Sequence, residues 1–231
     1  MVMAFALVLA GCQQPSSGGD SGSVAVDWSK AAVGDIVMTD GTFVTAASFT
    51  DEMKDKAAAV IVRAKNGSTP ALGVGIYHGT SLAWCTNDAN AYNVNITDLQ
   101  SDNCKDGSDG WSILKAALGE KDDTEEASTK YPAWNFCNTY AAKYKLTGDL
   151  AKGWYLPALA ELKTIYDNKS TIDASLKTAG GDQFGTSWYW SCCQFSSHDD
   201  YAFKLNFYNG STSISIKSSD GGSVCSVRAF N

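Results

Sequence analysis

Thiol, imidazole, carboxylate and aromatic side chains are concentrated between Ser191 and Asp200. The stretch reads Cys192-Cys193-Gln194-Phe195-Ser196-Ser197-His198-Asp199-Asp200 and follows neither a helical nor a strand period. A core segment keeps one of those periods, because one face of the element must be apolar. The mixture therefore predicts a segment that presents reactive and contact-forming side chains on a surface.

Regular strand patterns flank this segment and must position it. After Asp200, apolar residues alternate with others, which predicts a strand with its first set on the core and its second in water. The first set is Tyr201, Phe203, Leu205 and Phe207, and the second is Ala202, Lys204 and Asn206. Asn209-Gly210 accepts the positive φ of a tight turn, so Ser211 to Lys217 is predicted to return antiparallel. Trp188 to Trp190 and Val224 to Phe230 have the composition of further strands.

Earlier in the chain, strands come first and helices follow. Hairpins are predicted from Gly34 to Thr45, around Asp40-Gly41, and from Ala58 to Tyr77. Helices are predicted at Trp111 to Leu118, ended by Gly119, and at Ala133 to Tyr144. Two more are predicted, from Pro157 through Ile165 with the proline in the first turn, and at Thr171 to Thr178, closed by Gly180-Gly181. The charged segment Glu120 to Lys130 is predicted to be a solvated loop. This order predicts an α+β fold whose chain ends meet in one antiparallel sheet.

Composition excludes some functions. The chain has 231 residues and 44% hydrophobic content, enough for one large core, and a formal net charge of -7. Nucleic-acid binding needs a basic face that displaces counterions from phosphates, so no nucleic-acid partner is expected. We expect a monomer with an acidic, solvated exterior.

The N-terminal residues predict a lipid anchor. Residues 1–10 form an apolar run too short to span a bilayer, and Leu9-Ala10-Gly11-Cys12 has the form of a lipobox, in which the cysteine is lipidated. No Lys or Arg precedes the run, a departure that indicates a truncated start. We expect a signal over residues 1–12, a Gly/Ser-rich tether over residues 13–24 and a single domain over residues 25–231. The alternative is an ordinary N-terminal strand.

Six further cysteines are compatible with disulfides outside the cytoplasm: Cys85, Cys104, Cys137, Cys192, Cys193 and Cys225. Six cysteines allow fifteen pairings, and no spacing selects one of them. Without a C-x-x-C motif, and with His78 and His198 in unrelated settings, no metal site and no cofactor are expected. Since Cys192 and Cys193 are adjacent, one is expected in the core and the other at the surface.

Several motifs together carry a family resemblance. They are Asp109-Gly110-Trp111, Phe136-Cys137-Asn138, Gly153-Trp154-Tyr155-Leu156-Pro157, Tyr189-Trp190-Ser191, Asn206-Phe207 with Asn209-Gly210, and Val224 to Phe230. The chain after about residue 80 resembles the C-type lectin-like domains of bacterial lipoproteins related to the formylglycine-generating enzyme fold. Within that group it is most similar to the variable proteins of diversity-generating retroelements, in particular the treponemal variable lipoproteins. In that family, a reverse transcriptase mutates template adenines and scatters asparagine codons near the C-terminus.

The resemblance implies a C-type lectin-like fold and a binding surface within a variable region of about residues 187–230. Such a surface would take a protein or glycan ligand and would be displayed at the outer membrane or cell surface. Large, rigid aromatic residues mixed with Ser and Asn also characterise antibody paratopes. The candidate ligand-binding residues are Cys193, Phe195, His198, Asp199, Asp200, Tyr201, Lys204, Asn206, Tyr208, Thr212, Ile214 and Ile216, and they are expected to cluster on one exposed surface.

Each candidate has a structural alternative. Tyr201, Ile214 and Ile216 suit the core face of a strand, His198 suits a merely solvated loop, and Asp199-Asp200 suits a turn. A different set is expected to be scaffold: Trp188, Trp190, Phe203, Leu205, Phe207 and Phe230.

Two other functions compete with ligand display. Formylglycine-generating relatives oxidise a substrate cysteine with a reactive cysteine pair, but Cys192-Cys193 lacks the separation of that pair. A lectin that binds sugar through calcium would carry signature motifs that this sequence lacks. We therefore expect a protein that is not an enzyme, with a generic lectin-like lipoprotein as the alternative to a diversified one.

Overall fold

The structure is a computed structural model that describes residues 26–119 and 124–231. The predicted signal, the lipobox cysteine Cys12 and the tether over residues 13–24 lie outside the described residues, as do residues 120–123.

Strands from both ends of the chain form a six-stranded sheet with the order β2-β1-β3-β4-β11-β6. These strands are β1 Ile36–Met38, β2 Phe43–Val44, β3 Ala57–Arg63, β4 Ala71–Gly75, β6 Trp154–Tyr155 and β11 Val227–Phe230. Both predicted hairpins are present, as β1 with β2 and as β3 with β4. β11 pairs antiparallel with β4, with Phe230 opposite Ala71, which confirms that the chain ends share one antiparallel sheet.

A second, five-stranded sheet has the order β5-β10-β7-β8-β9. Its strands are β5 Gly79–Leu82, β7 Trp188–Gln194, β8 Tyr201–Asn206, β9 Thr212–Ile216 and β10 Gly222–Val224. The predicted hairpin is confirmed, because β8 and β9 pair antiparallel and Gly210 adopts φ +73° in the turn. Among the described residues, no strand pairs with the outer side of β9, which forms one edge of this sheet.

Six α-helices are described: α1 Gly110–Leu118, α2 Thr124–Lys130, α3 Pro132–Asn138, α4 Tyr140–Lys143, α5 Leu159–Asp167 and α6 Lys169–Ala179. The ends of α1 and α6 follow the expected chemistry, since Gly119 and Gly180 adopt the left-handed conformation that glycine tolerates.

Three predictions about where helices lie are wrong. Part of the predicted charged loop is helical, as α2, because Glu125, Glu126 and Ala127 are good helix formers and the acids lie near the N-terminus. The helix predicted from Ala133 to Tyr144 is interrupted at Thr139, whose φ of -99° and ψ of 2° depart from helical values, and whose Oγ1 and backbone N both donate to the carbonyl of Asn135, at 2.7 and 2.9 Å. Pro157 lies before α5 and not in its first turn, because Ala158 is the N-cap and the helix begins at Leu159.

Apolar side chains form two buried clusters on either side of the strands. One contains Trp84, Trp134 and Trp190, and the other packs α5 and α6 through Leu162, Ile165, Ile172 and Leu176. Helices α5 and α6 contact β3, and α5 also contacts β7 and β8. Mixed helices and antiparallel sheets thus establish the α+β fold class. Within the described ranges, no helix has both the length and the apolarity required to cross a bilayer.

Candidate ligand-binding surface

The candidate surface is built on β7, β8, β9 and the loop of residues 195–200 that joins β7 to β8. Pairing across β8 and β9 places Tyr201 opposite Ile216 and Phe203 opposite Ile214. Residues two apart on a strand share a face, so these four side chains lie together. Ile216 is 40% exposed, while Tyr201, Phe203 and Ile214 are half-buried.

The 195–200 loop adds two rings to that face. The Phe195 ring lies 5.8 Å from the His198 ring and 5.7 Å from the Phe203 ring, measured between centroids. His198 is exposed, and its ring lies 5.6 Å from that of Tyr201. Such spacings are typical of favourable aromatic pairs. We name the resulting set the aromatic patch, which consists of Phe195, His198, Tyr201, Phe203, Ile214 and Ile216.

Polar groups surround the aromatic patch. Asp199 is exposed and Asp200 is half-buried, and both immediately precede Tyr201. At the β9 edge, Asn206 N donates to Ser211 O and Lys217 N donates to Asp200 O, each at 2.8 Å. Antiparallel hydrogen-bonded pairs alternate, so the backbone groups of Thr212, Ile214 and Ile216 point away from β8. Hydrogen-bonding groups thus lie beside the apolar patch.

Lys217 binds the backbone of the 195–200 loop from the interior of the protein. It is fully buried, and its Nζ donates to the carbonyls of Ala91 at 2.8 Å and Val94 at 3.0 Å, and also to that of Asp199. Nζ lies 5.1 Å from the centroid of the Trp84 ring. Burial lowers the pKa of Lys217 to about 8, which leaves the amine charged at neutral pH. The charged amine of Lys217 therefore connects the 91–94 segment to the 195–200 loop through hydrogen bonds to backbone carbonyls.

Gln194 and Asn95 make a second attachment. The Gln194 side chain is buried, with Oε1 accepting from Ile96 N at 2.6 Å and Nε2 donating to Val94 O at 3.2 Å. Asn95 Nδ2 donates to Phe195 O at 2.8 Å. Sequence reasoning did not identify Lys217 or Gln194, because a lysine after an exposed strand and a glutamine in a polar run both suit solvent. No local signal marks their partners in the 91–96 segment, which lie between 98 and 126 residues away in sequence.

The structure divides the predicted site residues among different places, which corrects the expected single surface. Phe195, His198, Tyr201, Ile214 and Ile216 lie in the aromatic patch, with Asp199 and Asp200 beside it and Thr212 on the same face of β9. Tyr208 is 73% exposed at the hairpin tip, next to a cleft lined by Tyr166 and Asp173. Lys204 and Asn206 lie on the opposite face of β8, and Cys193 is fully buried.

The predicted alternation along β8 is wrong at its first four residues. Ala202 and Lys204 are buried, whereas Tyr201 and Phe203 are half-buried. Lys204 Nζ lies 3.8 Å from the centroid of the Trp190 ring, a cation–π contact that keeps the chain inside. At these residues the covered face is the one that carries Ala202 and Lys204, which packs on Trp190, because a period of two separates the two faces of a strand without showing which of them is covered.

The expected scaffold residues are mostly inside. Trp190, Leu205, Phe207 and Phe230 are buried, whereas Trp188 is half-buried. Phe203, expected to be scaffold, belongs to the aromatic patch because its ring meets that of Phe195.

The expectation that one of two adjacent cysteines reaches the surface is also wrong. Cys192 and Cys193 are both fully buried. The register of β7 against β8 shifts between Trp190 and Gln194, so four residues of β7 span two of β8. A bulge of this kind removes the strict alternation of side chains. All six cysteines in the described ranges are buried.

Comparison with known proteins shows the fold and nothing further. No family model matches the chain, and no curated protein matches it. A solved structure described as a fimbrial protein from Bacteroides ovatus ATCC 8483 superimposes with a TM-score of 0.64 at 13% sequence identity. The alignment covers 87% of this chain and 49% of that protein, so the chain spans about half of its length. At this identity, the similarity concerns architecture alone.

Proposed function

We propose that this chain is a lipid-anchored, non-enzymatic display protein that binds a macromolecular ligand, a protein or a glycan, through its aromatic patch. We also propose that it is a C-type lectin-like variable protein of a diversity-generating retroelement. The observation that supports binding most directly is the partial exposure of ring and aliphatic side chains on the 195–200 loop and on the adjoining strands β8 and β9, together with hydrogen bonds that hold the backbone of this loop. Contiguous apolar side chains on a fixed backbone are typical of interaction sites.

The chemistry of the attachments supports tolerance to sequence change. Lys217, Gln194 and Asn95 bind backbone atoms, including the carbonyls of Phe195 and Asp199. Any residue at those two positions supplies the same carbonyl. The loop can therefore keep its conformation while the side chains at positions 195, 198 and 199 change, as a diversified binding surface requires.

Joint replacement of His198, Tyr201 and Tyr208 by alanine tests the binding site. We expect the triple variant to lose capture of any ligand that the parent chain selects from a glycan array or from a panel of purified cell-surface proteins. We expect the thermal midpoint to change little, because His198 and Tyr208 are exposed and Tyr201 is half-buried.

Lys163→Ala is the matched control, since it removes an exposed ion pair on α5 and leaves the aromatic patch intact. A double variant at His198 and Tyr201, compared with Tyr208→Ala alone, separates the patch from the hairpin tip. Undiminished capture by the folded triple variant would refute the assignment of the site.

A genomic observation tests diversification. We expect a near-repeat of the codons for residues 188–230 downstream of the gene, differing at adenines, beside a reverse transcriptase gene. If neither is present, the proposal reduces to a generic lectin-like lipoprotein.

An oxidase of the formylglycine-generating type is the second candidate, because the structure adds Cys104 to the Cys192-Cys193 pair. The Cys104 and Cys192 sulfur atoms lie 3.1 Å apart. Full burial of Cys192 and Cys193 argues against access by a peptide substrate to this pair, whereas Cys104 lines a cavity at the surface. Turnover of a cysteine-containing peptide by the purified protein would favour the oxidase.

A further inference from the structure

Three thiols from two distant segments meet beneath the candidate surface. The sulfur atoms of Cys104, Cys192 and Cys193 all lie within 4.8 Å of one another. Cys104 is 5% exposed, and the other two are fully buried. Cys104 belongs to the segment between the 3-10 helix Thr97–Leu99 and α1. Cys192 and Cys193 lie near the C-terminal end of β7. We name this group the thiol cluster.

The contacts within the thiol cluster are not equivalent. Cys104 Sγ and Cys192 Sγ are in direct contact at 3.1 Å. Cys193 Sγ instead lies 3.4 Å from the carbonyl oxygen of Cys104 and accepts a hydrogen bond from Leu159 N, at the start of α5, at 3.2 Å. Cys193 is thus engaged by a helix N-terminus, and the other two sulfur atoms are left facing each other.

A structural zinc site fits this arrangement poorly. Such a site needs four ligands, and the thiol cluster contains three. The carboxylate of Glu161 is nearby but occupied, because Oε1 accepts from Tyr155 Oη at 2.7 Å and Oε2 accepts from Gly107 N and Ala158 N. The direct contact between two sulfur atoms favours chemistry between the thiols themselves.

We propose that Cys104 and Cys192 form a disulfide bond that cross-links the 97–109 segment to β7, and that Cys193 stays reduced. A bond between Cys192 and Cys193 is disfavoured because adjacent Cα atoms lie about 3.8 Å apart, below the usual disulfide range of roughly 4.4–6.8 Å. The remaining cysteines, Cys85, Cys137 and Cys225, lie outside the thiol cluster.

Hydrogen bonding explains why Cys193 is the thiol left over. Contacts with Cys104 and Cys192 lower the pKa of Cys193 to about 4, supported by the bonds from Leu159 N and Ser191 and opposed by burial. Hydrogen bonds with Cys104 and Cys193, together with burial, raise the pKa of Cys192. A thiolate stabilised in this way is a good leaving group, so a disulfide that includes Cys193 is readily broken by another thiolate, and Cys193 is the thiol that stays reduced.

The chemistry is two successive thiol–disulfide exchanges with a low-molecular-weight disulfide such as oxidised glutathione. A thiolate of Cys104 attacks that disulfide and expels one glutathione thiolate, which leaves a mixed disulfide on Cys104. The Cys192 thiolate then attacks Cys104 Sγ and expels the second glutathione thiolate. The protein loses two electrons and two protons, and the oxidant gains them as two thiols.

The Cys104–Cys192 disulfide bond would connect the 97–109 segment to the end of β7, from which the 195–200 loop begins. Ser101 N donates to Gln194 O at 3.2 Å, so the 97–109 segment already touches the end of β7. The proposal is independent of ligand identity. It relies on the proposed lipoprotein assignment only for an oxidising compartment, and an oxidant supplied in vitro separates the two questions.

Counting thiols tests the proposal. The full chain carrying Cys12→Ser has six cysteines and is equilibrated with oxidised glutathione, denatured and alkylated. We expect a loss of two alkylatable thiols in the parent, so that four of the six remain. We expect no such loss in Cys104→Ser or Cys192→Ser.

Cys193→Ser and Cys85→Ser are controls that remove one thiol each, and both should still lose two thiols on oxidation. A reductant should lower the thermal midpoint of the parent and of these controls but not that of Cys104→Ser or Cys192→Ser. If a serine variant does not fold, the alanine variant replaces it. Loss of two thiols on oxidation of Cys192→Ser would overturn the assignment. So would six alkylatable thiols in the oxidised parent, whether or not the protein retains zinc.

Discussion

At the residue scale, the environment of the His78 imidazole favours its neutral form. Its Nδ1 is 2.9 Å from Tyr189 Oη, and its buried Nε2 has no hydrogen-bond partner in the part of the chain that the structure describes. The ring packs 4.5 Å from the Phe184 ring. Burial lowers the pKa of His78 from 6.5 to about 4, although the charges of Asp182 and Asp173 act in the opposite direction.

This predicts loss of stability in mild acid. Between pH 6.5 and 4 the unfolded chain binds a proton at His78 that the folded chain does not, so stability falls as the pH falls. From pH 7 to pH 5, the expected contribution is about 2 kcal/mol. In chemical denaturation at several pH values, His78→Asn should flatten the curve, since asparagine can still bond Tyr189.

His198→Asn is the matched control because His198 is the other histidine of the chain and is exposed. It should keep the pH dependence of the parent. Equal slopes for the parent and His78→Asn would show that another group causes the acid sensitivity.

At the element scale, the β8 to β9 hairpin shows local and tertiary constraints acting on one glycine. Asn209-Gly210 predicted the turn, and Gly210 indeed adopts φ +73°. The structure adds a second reason for glycine, because a Cβ at this position would lie 2.3 Å from Tyr166 Cε1 on α5. The turn is thus packed against a helix as well as required by backbone conformation.

Gly210→Ala is therefore expected to destabilise the protein by about 2 to 4 kcal/mol, of which roughly 1 to 2 comes from the left-handed backbone and the rest from displacing Tyr166. Gly67→Ala is the matched control, since Gly67 has φ +56° and no atom within 4 Å of an added Cβ. It should lower stability by only about 1 to 2 kcal/mol in the same denaturation measurement. Equal losses in the two variants would contradict the role assigned to Tyr166.

At the scale of the whole molecule, the two sheets and their helices form a domain that a lipid anchor would hold at a membrane. The proposed anchor is Cys12, followed by the tether over residues 13–24. Two acyl signals on one cysteine hold a protein firmly to a bilayer. Membrane association in this proposal depends on the N-terminal residues and not on the folded domain.

Cys12→Ser is accordingly expected to move the protein from the membrane fraction to the soluble fraction of cells, and to abolish incorporation of a labelled fatty acid. The substitution should leave the thermal midpoint unchanged. Cys85→Ser, a buried cysteine in the domain, should keep the label. Label retained by Cys12→Ser would show that lipid is attached elsewhere or that the lipobox prediction is wrong.

Sequence pattern alone determined the fold class, both N-terminal hairpins, the β8 to β9 hairpin and the glycine ends of α1 and α6. These features depend on neighbours a few residues apart, where backbone preference and side-chain period act directly. Five of the contact residues that the family resemblance implied, Phe195, His198, Tyr201, Ile214 and Ile216, lie in the aromatic patch.

Only the tertiary structure decided which side of β8 is covered, that Lys204 and Cys193 are inside, and that Lys217 and Gln194 hold the 195–200 loop. Each of these depends on partners from other elements: Trp190 covers the face of β8 that carries Lys204, α5 covers Cys193, and the 91–96 segment supplies carbonyls to Lys217. The thiol cluster likewise joins residues 88 positions apart. Burial is a property of what packs on a segment, and a local period of two cannot show which face of a strand will be covered.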